Sequence, residues 1–374
     1  MSLRWGELYS QLISGARERK ELISASFELT ARCNLQCKMC YVSHSVNDLK
    51  TKAKELTTAE WIRLAEEARD AGLLFLTLTG GEVFIREDFK TIYEKFMQMG
   101  FVIQIYTNGT LLTKDHVNWL ASIPPSKVSI TLYGASRKTY QEVTGYAEGF
   151  DKTIRAIDDL LAKGITTEIK TTVIQGTRYE FDALLDIALQ RKLQLGIVNY
   201  VSPNRECSHS DPVGNRLSSQ ELLQYEIHMS EREQQLTAEN IKDITKITDA
   251  VTEEVMPAKL DVVRLKDTPA LAFPCLAGTS AAWVTWDGRL LPCGLLDIPE
   301  TNPLEKGFKA AWEELKNKCT LIPVCKECQE CKYQSLCEHC PARLFRETGY
   351  YDQPAPYLCE LAQSRSVYKD RMKA

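Results

Sequence analysis

The chain has 374 residues, 44% hydrophobic and 26% charged, with a formal net charge of −4. It is long enough to bury a substantial core in one large domain or two, and with no lysine-arginine stripe it excludes a sequence-independent nucleic-acid surface. No run of about 18 apolar residues is present to span a bilayer, and Met1-Ser2-Leu3-Arg4-Trp5 opens onto a polar segment rather than a signal peptide, so a cytoplasmic protein with no membrane partner is expected.

Residues 1–25 read as a short amino-terminal extension. From 26 to 202 apolar runs alternate with amphipathic helical stretches, giving candidate strands at 26–30, 74–79, 101–106, 127–132, 167–174 and 194–201. Thr57 and Glu60 are spaced as a capping box ahead of a helix carrying Trp61, Leu64, Ala65 and Ala68, and Gly72 closes it. Six strands alternating with helices imply an α/β fold with a parallel sheet. Strand count alone fits an open barrel and a flat doubly wound sheet equally.

The polar motifs fall at the ends of these strands, where sites gather in parallel sheets. The first strand leads into Cys33, Cys37 and Cys40, spaced C-x3-C-x2-C. The second runs into Gly80-Gly81-Glu82, the third into Thr107-Asn108-Gly109, and the fourth carries Thr131. Three thiolates can hold a cubane iron-sulfur cluster and leave one iron open to substrate. A zinc site is the alternative, but structural zinc takes four ligands, and His44 is the sole further donor at short spacing.

Residues 203–269 form a linker, with Pro203, Pro212 and Gly214, followed by a polar helical stretch from 218 to about 255. Residues 270–374 are cysteine-dense. Asp287-Gly288 between 281–286 and 289–291 is a hairpin signal bracketed by Cys275 and Cys293. An amphipathic helix with Leu304, Phe308, Ala311, Trp312 and Leu315 follows, then Cys325, Cys328, Cys331, Cys337 and Cys340, and finally Cys359. Thirteen cysteines without a signal sequence point to metal binding rather than disulfides. Cys328, Cys331, Cys337 and Cys340 alone would also suit a structural zinc.

The cysteine triplet with Met39 before its last member, followed in order by Gly80-Gly81-Glu82, Thr107-Asn108-Gly109 and Thr131, resembles the radical S-adenosylmethionine (SAM) superfamily. The carboxyl-terminal cysteines resemble that family's SPASM domain, which carries auxiliary iron-sulfur clusters. The resemblance implies a partial (β/α)6 barrel at 26–202 and a small SPASM domain at 270–374. It implies a SAM-binding [4Fe-4S] cluster on Cys33, Cys37 and Cys40, with SAM held by Met39, Gly80, Gly81, Glu82, Thr107, Asn108 and Thr131. Two auxiliary clusters follow, an outer one on Cys328, Cys331, Cys337 and Cys359 and an inner one on Cys275, Cys293 and Cys340. The inner one takes its fourth ligand from Cys325, Cys319 or Cys207, or keeps an open iron.

The activity implied is formation of a 5'-deoxyadenosyl radical, fed by a flavodoxin or ferredoxin, to oxidise a peptide, with a crosslink as the leading outcome and recognition by the barrel mouth or a separate leader-binding protein. The family's sulfatase-maturing branch places an aspartate after the second hairpin cysteine, and here that residue is Gly294. Two rival functions stand beside this one: a small-molecule enzyme of cofactor or antibiotic biosynthesis, and a non-catalytic iron-sulfur or zinc scaffold.

Overall fold

The computed structural model describes residues 5–206, 209–238 and 273–371. Among these, eight strands form one sheet: β1 (Ser24–Glu28), β2 (Phe75–Thr79), β3 (Val102–Thr107), β4 (Lys127–Thr131), β5 (Thr167–Thr172), β6 (Leu195–Val198), β7 (Ala281–Val284) and β8 (Leu290–Leu291). Their order is β8-β7-β1-β2-β3-β4-β5-β6, all parallel except β7 with β8.

From β1 to β6 the order follows the chain without a reversal. A doubly wound sheet reverses at a switch point, whereas winding one way with right-handed crossovers puts every helix on one face. The burial pattern agrees. Leu76, Leu78, Ile103, Ile105, Val128 and Ile130 face the helices and are buried, while Thr79, Gln104, Tyr106, Lys127 and Thr131 on the other face are half-buried and line a lumen. The fold is therefore the open barrel. Phe27 anchors its outer layer, 5.2 Å from Trp61 and 5.9 Å from Phe96 between ring centroids. The helix bearing Trp61 spans Thr58–Asp70, and Thr57 and Glu60 close its capping box from both sides. Gly72 follows at φ +106°, a left-handed turn that suits glycine.

The first strand starts and ends two residues earlier than its apolar run suggests. Beyond Glu28 the chain stays bonded to β2, Leu29 donating to the Thr79 carbonyl, and then bends so that the Thr30 carbonyl receives the Gly81 amide. The polar helix expected after the linker is present as Ser219–Ala238 and is tied by Glu226 to Arg365 on the last helix, Pro356–Arg371. The rest of the 218–255 stretch lies outside the described residues.

The cysteine-rich unit does not stand apart from the barrel. Its strand β7 extends the sheet on the free side of β1, in register from Ser24 opposite Ala281 to Phe27 opposite Val284. A buried ion pair sits at this seam. One guanidinium nitrogen of Arg205 donates to both oxygens of Glu28 at 2.8 Å, a second donates to the Gly294 carbonyl at 2.8 Å, and the Trp283 indole donates to Glu28 at 2.7 Å. Both charged side chains are fully inaccessible. Removing one member of such a pair strands a charge in the interior and costs about 3–5 kcal/mol. Arg205→Leu is expected to lower unfolding stability by that amount in a urea titration, and Glu28→Gln added to it recovers most of the loss; a cost under about 1 kcal/mol for the single change would show that the seam does not depend on the pair.

Candidate functional site

The loop that leaves β1 sets Cys33, Cys37 and Cys40 in a small apolar cluster. Cys33 and Cys37 are buried and Cys40 half-buried, among Leu35, Met39, Val143 and Ile174. Tyr133 faces all three sulfurs, and burial together with these thiols pushes its phenol well above the ordinary range. Cys33 is pushed up to about 12 by burial and then by the neighbouring Glu82 carboxylate. His44 does not belong to this group. It pairs with Arg32 in a two-residue parallel ladder, so it shares the Arg32 face, opposite that of Cys33, and its ring contacts Thr51, Asp48 and Trp286.

The two glycines of Gly80-Gly81-Glu82 have a packing task. A Cβ at Gly80 would strike the Thr30 carbonyl, and one at Gly81 the Arg32 carbonyl. The amides of Gly81 and Glu82 donate to those same two carbonyls at 2.7 and 3.0 Å. The pair thus clamps the cysteine loop to the end of β2. Glu82 turns inward, almost fully buried, and accepts from the Thr107 hydroxyl at 2.8 Å, the Asn108 amide at 2.7 Å and the Phe84 amide at 3.1 Å. Burial still raises its carboxyl to about 6. The Asn108 side chain reaches the Cys33 sulfur at 3.7 Å and Asn34 at 3.0 Å. Three motifs from three strand ends are joined here into one support for the cysteine loop. Asn34, which the sequence reading passed over, is part of it, and its signal was its position directly after Cys33.

Thr131 stands half-buried at the end of β4, opposite Lys170 of β5. Lys170 was not foreseen. Its ammonium donates to the Tyr106 hydroxyl at 2.7 Å and lies 3.4 Å from Glu168, which also pairs with Lys127 at 2.5 Å. Two cations share one carboxylate inside the barrel wall. The sequence signal was charge at alternate strand positions, Glu168 and Lys170, which a parallel strand carries on one face.

The carboxyl-terminal cysteines fall into two groups. Cys275 and Cys293, on either side of the hairpin, meet Cys340 at the head of the helix Pro341–Thr348; burial first, then Cys293 and Cys340, pushes the Cys275 thiol to about 12. Tyr41 is close to a member of each group: burial raises its phenol, Arg205 opposes that, and Glu28, Cys40 and Cys293 add to it. Cys328, Cys331, Cys337 and Cys359 line a cavity of about 320 Å³ with Tyr333 and His339. A zinc ribbon of Cys328, Cys331, Cys337 and Cys340 needs all four at one point, and the fold takes Cys340 elsewhere.

Of the three spare thiols, Cys325 sits against Cys328, and Cys319 packs in the helical core against Gly278, where a Cβ would come 2.6 Å from its sulfur. Cys207 lies outside the described residues. Gly294 is covered by the Trp283 indole, which a Cβ would meet at 2.9 Å, so no side chain fits after the second hairpin cysteine. Soft thiolates in apolar surroundings suit iron-sulfur clusters. Among the described residues no three His, Cys, Asp or Glu donors close around a single ion, whereas a cubane takes its thiolates on separate irons. The donor sets therefore fit clusters.

A family model described as the radical SAM superfamily matches residues 27–188. Among curated proteins, the chain is 27% identical to an AdoMet-dependent heme synthase of Methanosarcina barkeri, over 89% of this chain and 95% of that protein. It is 23% identical to the antilisterial bacteriocin subtilosin biosynthesis protein AlbA of Bacillus subtilis, over 90% of this chain and 68% of that one. Among solved structures, Streptococcus suis SuiB bound to its precursor peptide SuiA superposes with a TM-score of 0.70 at 16% identity, covering 94% of this chain and 80% of SuiB. The likeness of fold thus extends through the carboxyl-terminal unit. No described helix is long and apolar enough to cross a membrane.

The clamp gives a test of the site without any substrate. Gly81→Ala is expected to push the Arg32 carbonyl away and cost the protein about four irons, one cubane, in anaerobic reconstitution, with little change in far-ultraviolet circular dichroism. Full iron retention in that variant would show that the loop does not need the close approach.

Proposed function

We propose that the chain is a radical SAM enzyme, its residues 27–188 matching the model of that superfamily, and that it oxidatively modifies a peptide, with a new crosslink as the product. Cys33, Cys37 and Cys40 hold the SAM-binding cluster in this reading, Cys275, Cys293 and Cys340 an inner auxiliary cluster, and Cys328, Cys331, Cys337 and Cys359 an outer one. When bound, the first cluster with SAM supplies one-electron cleavage of the sulfonium and the radical that removes a hydrogen atom from an unactivated carbon.

The chain's own residues do the rest. The Gly80-Gly81 clamp and Glu82 fix the cysteine loop, and Thr131 stands at the lumen wall where a ribose hydroxyl would lie. Tyr133, Leu35 and Val143 keep water from the thiols. The observation that carries the oxidative reading is the inner group, Cys275 with Cys293 and Cys340, with Tyr41 close to both Cys293 and Cys40. Closing a bond after one hydrogen atom has left requires that a second electron and a proton also leave, and a cluster held by this group would accept that electron. The peptide part is supported by the fold shared with SuiB in complex with SuiA and by the likeness to AlbA. An external one-electron donor such as flavodoxin or ferredoxin, and a separate leader-binding protein, complete the proposal.

A second reading, a small carboxylate-bearing substrate, is favoured by two observations. The heme synthase aligns with nearly the whole chain, and Lys127 and Lys170 place two ammonium groups in the barrel wall beside Glu168. Anaerobic incubation with SAM and a reductant decides between them. A candidate peptide that loses two hydrogens in mass spectrometry, with 5'-deoxyadenosine released in step, supports the first reading; turnover of a heme precursor with no peptide product replaces it by the second.

The cluster assignment predicts about twelve irons in the reconstituted protein, three cubanes of four. Changing Cys33, Cys37 and Cys40 together to Ala is expected to leave about eight irons and to abolish 5'-deoxyadenosine release. Release that survives the triple change would remove the function altogether.

A further inference from the structure

Cys325 belongs to none of the ligand sets, yet it touches one of them. We propose that Cys325 is a positioning residue for the outer cluster: its thiol donates a hydrogen bond to the Cys328 sulfur and raises the reduction potential of the cluster that Cys328 helps to hold. The proposal rests on the assignment of Cys328, Cys331, Cys337 and Cys359 as that cluster's ligands.

The geometry separates Cys325 from those four. They line the cavity, and Cys325 does not. It lies behind Cys328, 3% exposed, with the apolar Leu344, Ala355 and Leu358 in the same buried group. Its sulfur lies against that of Cys328 and accepts the Cys328 backbone N–H at 3.3 Å. The thiol is thus held from two sides. Four cavity-lining thiolates already complete the ligands of a cubane, and a sulfur pressed against one of them cannot reach a different iron while it stays there.

A hydrogen bond to a ligand sulfur stabilises the more negative, reduced state of the cluster and so raises its potential. Apolar surroundings leave that effect undiluted by water.

The test uses the full chain, reconstituted anaerobically, with iron and sulfide analysis and a potentiometric titration followed by electron paramagnetic resonance. Cys325→Ala is expected to keep the wild-type iron content while the midpoint potential of the outer cluster moves downward. Cys325→Ser keeps a donor and is expected to restore most of the shift. Cys328→Ala is expected to lose about four irons. Loss of about four irons from Cys325→Ala would make Cys325 a ligand and overturn the proposal. Unchanged iron with an unchanged potential would overturn it too. Full iron in Cys328→Ala would instead overturn the ligand assignment beneath it, which distinguishes the two failures.

Discussion

The barrel and the cysteine-rich unit are held in one piece by a carboxylate and a guanidinium that never meet water. Glu28 ends the first strand, Arg205 follows the sixth, and the hairpin contributes the Trp283 indole and the Gly294 carbonyl to the same cluster of hydrogen bonds. That arrangement adds to the backbone ladder and to the shared core packing that fix β7 beside β1. The position of Cys293, one residue before Gly294, depends on it, and so does the distance between the first thiol group and the inner one. Ionic partners are a costly way to build a seam, because both charges must be desolvated. What they give here is direction: the hairpin must bring the Trp283 indole to Glu28 and the Gly294 carbonyl to Arg205 at once.

A second constraint acts on the cysteine loop. A loop with three thiols has no reason of its own to hold them toward a common point. Two glycines let its backbone lie against the end of β2, and the buried Glu82 then gathers Thr107 and Asn108 from the next strand. The motif residues at the first three strand ends make one connected network, and much of their hydrogen bonding is spent on each other. Their main structural effect is therefore the shape they impose on the loop. The polar lumen below, with Lys170 on Tyr106 and Glu168, adds the charge that a substrate entering the barrel would meet.

Packing also explains two absences in the sequence. Gly294 carries no side chain because the Trp283 ring occupies the space, so an aspartate there would require the hairpin to be rebuilt. Cys319, one of the thiols considered as a fourth ligand, fills a gap over Gly278 in the helical core and behaves as a small apolar residue.

The sequence by itself determined the features that depend on neighbours along the chain. The alternation of strands and helices, the Thr57–Glu60 cap, the Asp287-Gly288 turn and the spacing of the cysteine triplet are local, and their physics is complete within a few residues. The order of motifs along the strands was enough to indicate a site at one end of a parallel sheet. Tertiary structure alone decided what depends on residues far apart. It chose the open barrel over the flat sheet, because strand order is a matter of crossover direction and not of strand count. It joined Glu28 to Arg205, separated by 177 positions, and put Lys170 in the lumen. It also parted Cys340 from Cys337, three positions away, sending the first to Cys275 and Cys293 and leaving the second with Cys359. Spacing in sequence limits how far apart two thiols can be. Which thiols share a site is fixed by the packing of the helices and hairpin that carry them.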